Sequence, residues 1–192
     1  MDKTYEKFLR SGMDLAAVGI ECCRENTQYF CTPKGASVFG WAGTDGIHFC
    51  FIRGFGGMVF SVNPMNESQS YVHPLAKDFS DFLRLLLACG NEAALEQAWR
   101  WSREEFEAFL LKNPAAGEGE KTLKELAKAM KLTPMEQPWE YIRKLQSDFD
   151  YSRIKYTEDY YDIDLNPSAE IAFPEWKVYF DNNFWGRPKG AR

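Results

Sequence analysis

Residues 37–89 read SVFGWAGTDGIHFCFIRGFGGMVFSVNPMNESQSYVHPLAKDFSDFLRLLLAC, and this stretch decides the fold. It contains three short apolar runs, at residues 37–41, 47–52 and 58–62, which are separated by two glycine-containing turns. Closely spaced turns between apolar runs favour antiparallel strands. The run at residues 47–52 is apolar at nearly every position, which is typical of a strand covered on both faces. The sequence therefore predicts an antiparallel meander.

The stretch ends in an amphipathic helix that we predict for residues 78–89. Five apolar side chains recur at the helical spacing and share one wide face. They are Phe79, Phe82, Leu83, Leu86 and Leu87. Asp78 suits the N-cap position and Gly90 suits the position after the last turn. A face of this width must be buried, and the preceding sheet is the nearest surface that can cover it.

Helical patterns dominate the second half of the chain. Two capping-box patterns, Ser102 with Glu105 and Thr122 with Glu125, predict the starts of two helices. Pro138 predicts the start of a third, because proline suits the first turn of a helix.

Less regular patterns give the remaining predictions. Residues 5–23 are predicted to be helical, with Gly12 as a candidate interruption, and residues 28–31 are predicted to form a short strand. Residues 63–74 are predicted to be a loop that contains a short strand at residues 70–72, and residues 114–119 are predicted to be a linker. Residues 176–180 are predicted to be a last strand.

Together these patterns predict an α+β fold with a central, mostly antiparallel sheet flanked by helices and a largely helical C-terminal half. The 192 residues suit a single domain. We divide it into the stretch at residues 37–90, a helical extension at 91–147, and an acidic, tyrosine-rich segment with the terminal strand at 148–192.

The composition limits the classes of function. Hydrophobic residues make up 45% of the chain, enough for a core, and the net charge of −5 argues against a nucleic-acid binder. No apolar run approaches the roughly 18 residues of a membrane span, and the N-terminus lacks the pattern of a secretory signal. Five cysteines without regular spacing fit reduced thiols. The sequence therefore predicts a cytoplasmic protein that binds neither membrane nor nucleic acid directly.

Chemical motifs are few. The glycines at residues 54–57 precede a predicted strand rather than a helix, so they are interpreted as turn residues and not as a phosphate loop. Cys22, Cys31, His48 and Cys50 could together bind zinc, but no pair has the usual ligand spacing, which favours packed thiols and a hydrogen-bonded histidine. We therefore predict no catalytic residue, no metal and no cofactor.

The acidic, tyrosine-rich segment carries the candidate binding site. Residues 147–165 contain six acids and two bases, with tyrosines between them. Tyrosines among acids combine apolar contact area with charge that complements a basic partner. The candidate partner-binding residues are Asp148, Asp150, Tyr151, Tyr156, Asp159, Tyr160, Tyr161, Asp162 and Asp164. A solvated acidic surface, or an enzyme's acidic cleft acting on a small or sugar-like substrate, stays open as an alternative.

The decisive stretch also resembles a known family. The segments FGWAGTDGIHFCFI at residues 39–52, GGMVFSVNP at 56–64 and KDFSDFLRLLL at 77–87 are similar to the SUKH superfamily. That superfamily includes the yeast cell-wall glucan-synthesis regulator and many bacterial immunity proteins. Members usually open with a leucine-proline pair before a helix. Residues 5–12 are interpreted as the remnant of that helix, but the leucine-proline pair is absent.

The resemblance implies the same fold class and a non-enzymatic role in binding another protein. In bacterial members that partner is often a toxin, frequently a basic nuclease that an acidic immunity protein neutralises. The resemblance therefore leads us to expect a protein-interaction module, of the immunity-protein kind, that binds a basic toxin domain or another basic protein.

Overall fold

A computed structural model of the chain describes residues 2–22, 28–43, 45–67 and 70–164, and only the backbone of residues 162–164. Within this part the chain forms a five-stranded antiparallel sheet with helices packed against it. Most of the helices follow the sheet in the chain. The predicted α+β class, with its largely helical C-terminal half, is confirmed.

The elements follow one another in a simple order. The strands are β1 (Glu21–Cys22), β2 (Ala36–Ala42), β3 (Ile47–Ile52), β4 (Val59–Val62) and β5 (Val72–Ala76). The helices are α1 (Lys3–Ser11), α2 (Phe79–Cys89), α3 (Glu92–Gln97), α4 (Arg103–Lys112), α5 (Gly117–Met130), α6 (Pro138–Ser147) and α7 (Glu158–Asp164). Two short 3₁₀ turns lie at Ala16–Val18 and Tyr151–Arg153. The strands pair in chain order, which makes the sheet a meander.

The three strands predicted in the decisive stretch form as β2, β3 and β4, to within one residue at each end. The pairing of β2 with β3 shifts register between Val38 and Gly40. A side chain at Gly40 could not be accommodated, because its Cβ would lie 2.6 Å from Cγ2 of Ile20. The glycine therefore lets the chain before β1 pack closely on β2.

Both faces of the sheet are covered, as the continuous apolar run of β3 predicts. Phe49 belongs to the core under the helices, together with Phe39 and Val59. The neighbouring Cys50 belongs to a second core on the opposite face, together with Phe60. Successive side chains of a strand point to opposite faces, so a strand between two cores is apolar throughout.

Helix α2 is the central helix of the first core, and it begins and ends as predicted. The Asp78 carboxylate accepts a hydrogen bond from the backbone N–H of Asp81 at 2.8 Å, and Gly90 ends the helix with φ of 81°. Leu85 is fully buried although it lies off the predicted stripe, and Leu87 is half-buried. Helices α3 and α6 also pack on α2, so the helix is buried on more than one side.

The chain before the sheet differs from its prediction. The predicted helix over residues 5–23 is wrong at residues 12–22, because Gly12, the candidate interruption, adopts φ of 65° and ends α1. A 3₁₀ turn and β1 follow instead. The predicted strand at residues 28–31 is also wrong. That segment is a turn, in which the Thr32 backbone N–H donates to the Tyr29 carbonyl oxygen at 2.9 Å.

Two boundaries after the meander also differ. Strand β5 lies partly within the predicted loop and contains Pro74, which a strand tolerates at the edge of a sheet because no ladder bond is lost there. Helix α5 begins at Gly117, so Thr122 lies inside the helix and caps nothing. The predicted strand at residues 176–180 lies outside the described residues.

Candidate functional site

The acidic, tyrosine-rich segment lies over the second face of the sheet. Ile154 is 4% exposed and Tyr160 is 6% exposed, and both pack into the second core with the side chains of β2 to β4. A backbone hydrogen bond of 2.7 Å, from the Lys34 N–H to the Lys155 carbonyl oxygen, ties the segment to the turn before β2. The segment therefore covers the second face of the sheet, and its outer side chains form part of the protein surface.

The nine candidate binding residues fall into distinct environments. The exposed ones are Asp148, Asp150, Tyr151 and Tyr161. The half-buried ones are Tyr156 and Asp159, and the buried one is Tyr160. The side chains of Asp162 and Asp164 lie outside the described part of the chain. Of the seven candidate side chains that the structure describes, four are therefore exposed and can contact a partner.

Tyr160 requires a correction to the sequence interpretation, because its ring is not on the surface. It stacks on Tyr156 with the ring centroids 3.8 Å apart, and it meets the edge of Tyr71 at 6.1 Å. Tyr161, the next residue, is 46% exposed. Tyr160 therefore fixes α7 to the sheet, and Tyr161 presents its ring to solvent.

Asp150 holds the 3₁₀ turn Tyr151–Arg153 in place. Its carboxylate accepts hydrogen bonds from the Ser152 hydroxyl at 2.6 Å and the Ser152 backbone N–H at 3.1 Å. These bonds, with smaller contributions from Arg153 and Lys155, lower the pKa of Asp150. The carboxylate is therefore charged at neutral pH. A general acid for sugar cleavage needs a raised pKa instead, so this carboxyl suits binding better than proton donation.

A cleft of about 330 Å³ opens beside these acids, between the β3–β4 turn and the end of α6. Its apolar lining comes from Phe55, Met58, Leu145 and Phe149. Phe55 and Phe149 lie 5.5 Å apart between ring centroids. The cleft therefore has an aromatic floor that sequence reasoning did not identify. Phe55, an aromatic residue between turn glycines, was the one sequence signal for it.

Charged groups form the rim of the same cleft. Asp148 and Asp150 line it from the end of α6, and Arg153 lies over Phe55 with its guanidinium carbon 4.6 Å from the ring centroid. The Arg153 Nη2 also lies 3.4 Å from the Gly54 carbonyl oxygen, to which it donates. Two carboxylates and a guanidinium thus surround an aromatic floor.

His73 lies near this segment but is buried. Its Nε2 donates to the Ser70 carbonyl oxygen at 2.9 Å, and its ring stacks on Trp99 at 4.5 Å. In the neutral ring Nδ1 is then the hydrogen-bond acceptor, and it lies 3.5 Å from the Tyr151 hydroxyl oxygen. Burial lowers the pKa of His73 to about 4, so the ring is neutral and tightly packed. These contacts indicate a structural histidine.

His48 is also a packed, hydrogen-bonded histidine. Its Nδ1 lies 2.8 Å from the Gly46 carbonyl oxygen and must donate to it, which leaves Nε2 to accept from the Thr32 hydroxyl at 3.2 Å. Both ring nitrogens are therefore used. Among the described residues no group of three or more histidine, cysteine or acidic side chains could hold a metal ion.

Within the described ranges, no helix combines the length and apolarity needed to cross a membrane. No family model, curated protein or solved structure matches the chain.

Proposed function

We propose that the chain is a non-enzymatic protein-interaction module that binds a basic protein partner. One observation carries the proposal. The segment at residues 147–164 buries Ile154 and Tyr160 in the second core, while Asp148, Tyr151 and Tyr161 stay exposed. The exposed acids and tyrosines therefore lie on a segment whose position is fixed by its packing on the sheet.

Such an arrangement favours binding for a physical reason. A segment that is already ordered loses little conformational entropy when a partner docks, so more of the contact energy remains for affinity. Tyrosine rings provide contact area, and carboxylates steer a cationic partner towards the surface. The same segment in a disordered state would bind more weakly for the same contacts.

The resemblance of residues 37–90 to the SUKH superfamily supports a more specific form of the proposal. A member of that superfamily with an acidic surface would act as an immunity protein, and its partner would be a basic toxin domain. We also propose a cytoplasmic location. Cys50 and Cys89 are buried free thiols, which fits a reducing compartment.

The experiment is a pull-down with the immobilised chain from a lysate of the source cell. We expect a stoichiometric basic protein whose recovery falls as the salt concentration rises, because salt screens exposed charge pairs. Recovery of no stoichiometric protein across several salt and pH conditions would contradict the proposal. A partner retained equally at low and high salt would contradict its electrostatic part.

A further inference from the structure

The cleft between the β3–β4 turn and α6 already binds one cationic group, its own Arg153. The guanidinium lies over the Phe55 ring at 4.6 Å and donates to the Gly54 carbonyl oxygen at 3.4 Å. Among the described residues it forms no ion pair with a carboxylate within 4.0 Å, and its side chain is exposed. Arg153 is thus held by a ring face and one carbonyl oxygen.

The cleft contains more groups that can bind a guanidinium than the two that hold Arg153. Asp148 and Asp150 lie on the rim, and Phe149 adds a second ring to the floor. About 330 Å³ of space remains beside Arg153, which is itself a lining residue, and this is ample for one further long side chain. A planar guanidinium can stack on an aromatic face and bond a carboxylate in the same plane, which an ammonium cannot.

We propose that this cleft is the recognition site for an arginine side chain of the basic partner, and that Arg153 occupies it in the free protein. The inference rests on the proposed function and specifies the partner's contacting group. On binding, the partner's guanidinium takes the place over Phe55, reaches the carboxylates on the rim, and displaces Arg153 into solvent. Arg153 therefore competes with the ligand and lowers its affinity.

The proposal is tested with small probes that do not require the partner to be known. Nitrogen-15 NMR spectra of the chain are titrated with N-acetyl-arginine amide, N-acetyl-lysine amide and N-acetyl-citrulline amide. Citrulline has the shape of arginine without the charge, so it is the matched control. We expect saturable shifts at residues 54–58 and 148–153 with arginine, weaker shifts with lysine and none with citrulline.

Two variants sharpen the test. Arg153→Ala removes the internal competitor, and its affinity for the arginine probe should rise by about two- to fivefold, the fold-change that matches a cation–π contact at an exposed site. Asp148→Asn should weaken binding several-fold. The remaining amide spectrum shows whether each variant is folded. If a variant is misfolded, Phe55→Leu serves as a second variant that should reduce binding.

The outcomes separate this inference from the proposed function. Equal shifts with arginine and citrulline, shifts outside the cleft, or unchanged affinity in Arg153→Ala would overturn the arginine site. Stronger binding of the lysine probe would also overturn it. A partner recovered by pull-down and bound equally by wild type and Asp148→Asn would leave the proposed function intact while removing the cleft as its contact.

Discussion

His48 shows how one buried side chain makes the stability of the fold depend on pH. Its ring is fully buried, its nitrogens are hydrogen-bonded to Gly46 in the β2–β3 turn and to Thr32 in the turn before β2, and burial lowers its pKa to about 4. His73 has the same shift for the same cause. In an unfolded chain both histidines would titrate near the ordinary value of about 6.5.

We expect the free energy of unfolding to fall as the pH falls from about 6.5 towards 4. In this range the two histidines bind protons in the unfolded chain but not in the folded chain. Each histidine contributes a slope of at most roughly 1.4 kcal/mol per pH unit. Above pH 6.5 this contribution is constant. Urea titrations at pH 7, 6 and 5 measure it.

His48→Gln provides the comparison for that prediction. Glutamine keeps a donor and an acceptor but does not titrate, so the variant should lose stability at pH 7 and show a shallower decline on acidification. An identical slope in wild type and variant would show that His48 is not the group responsible.

Tyr160 illustrates which residue properties the sequence could predict. The composition of residues 147–165 identified an acidic, tyrosine-rich segment, but it could not distinguish buried tyrosines from exposed ones. The structure separates Tyr160 from Tyr161 because Tyr71, a residue 89 positions earlier in the chain, covers one of them. A contact between residues so far apart in the sequence produces no pattern in the sequence around either residue.

At the scale of elements, α2 depends on its aromatic contacts with the sheet. Phe82 is fully buried and lies 5.4 Å from Phe39 and 5.5 Å from Phe49 between ring centroids. We expect Phe82→Ala to lower the free energy of unfolding by about 3–5 kcal/mol, since the change leaves a cavity in a packed core. Urea denaturation followed by circular dichroism measures the loss.

Leu111→Ala is the control for Phe82→Ala. Leu111 lies on α4 and is 83% exposed, so its truncation should change stability by less than about 0.5 kcal/mol. Equal losses in the two variants would contradict the placement of α2 in the core.

Helix α7 gives a paired prediction about the cover of the second sheet face. Tyr160→Ala should lower the free energy of unfolding by roughly 3 kcal/mol, because it removes a buried ring that stacks on Tyr156. Tyr161→Ala should cost less than about 1 kcal/mol, because that ring is nearly half exposed. The same urea titration compares them, and a smaller loss for Tyr160→Ala would contradict the packing of α7.

Elements with strong local signals could be predicted, and those set by distant contacts could not. Asp78, Gly90 and the spacing of the apolar residues between them locate α2 without knowledge of the rest. Strand β5 is different, because its five residues are all buried and include Pro74. Pairing with β4 and the contact with α6 make it a strand, and neither is visible in the local pattern.

At the scale of the whole molecule, the sheet lies between two layers with different roles. Helices α1 and α2 cover one face and form the larger core. The acidic, tyrosine-rich segment at residues 147–164 covers the other face and bears the acids and tyrosines of the candidate site, and the cleft lies beside them. The fold class followed from the sequence, but the cleft did not, because Phe55 and Phe149 come together only when that segment packs on the sheet.

The central claim is that the exposed acids of the C-terminal segment bind a basic partner. The most direct test is the affinity of the recovered partner for the double variant Asp148→Lys, Glu158→Lys, which reverses two exposed acids of this segment, compared with Glu125→Lys. Glu125 is an exposed acid on α5, which packs against α1 and not against the second sheet face. We predict at least a tenfold loss of affinity for the double variant at unchanged stability, and little change for Glu125→Lys. Equal affinity of both variants and wild type would contradict the account.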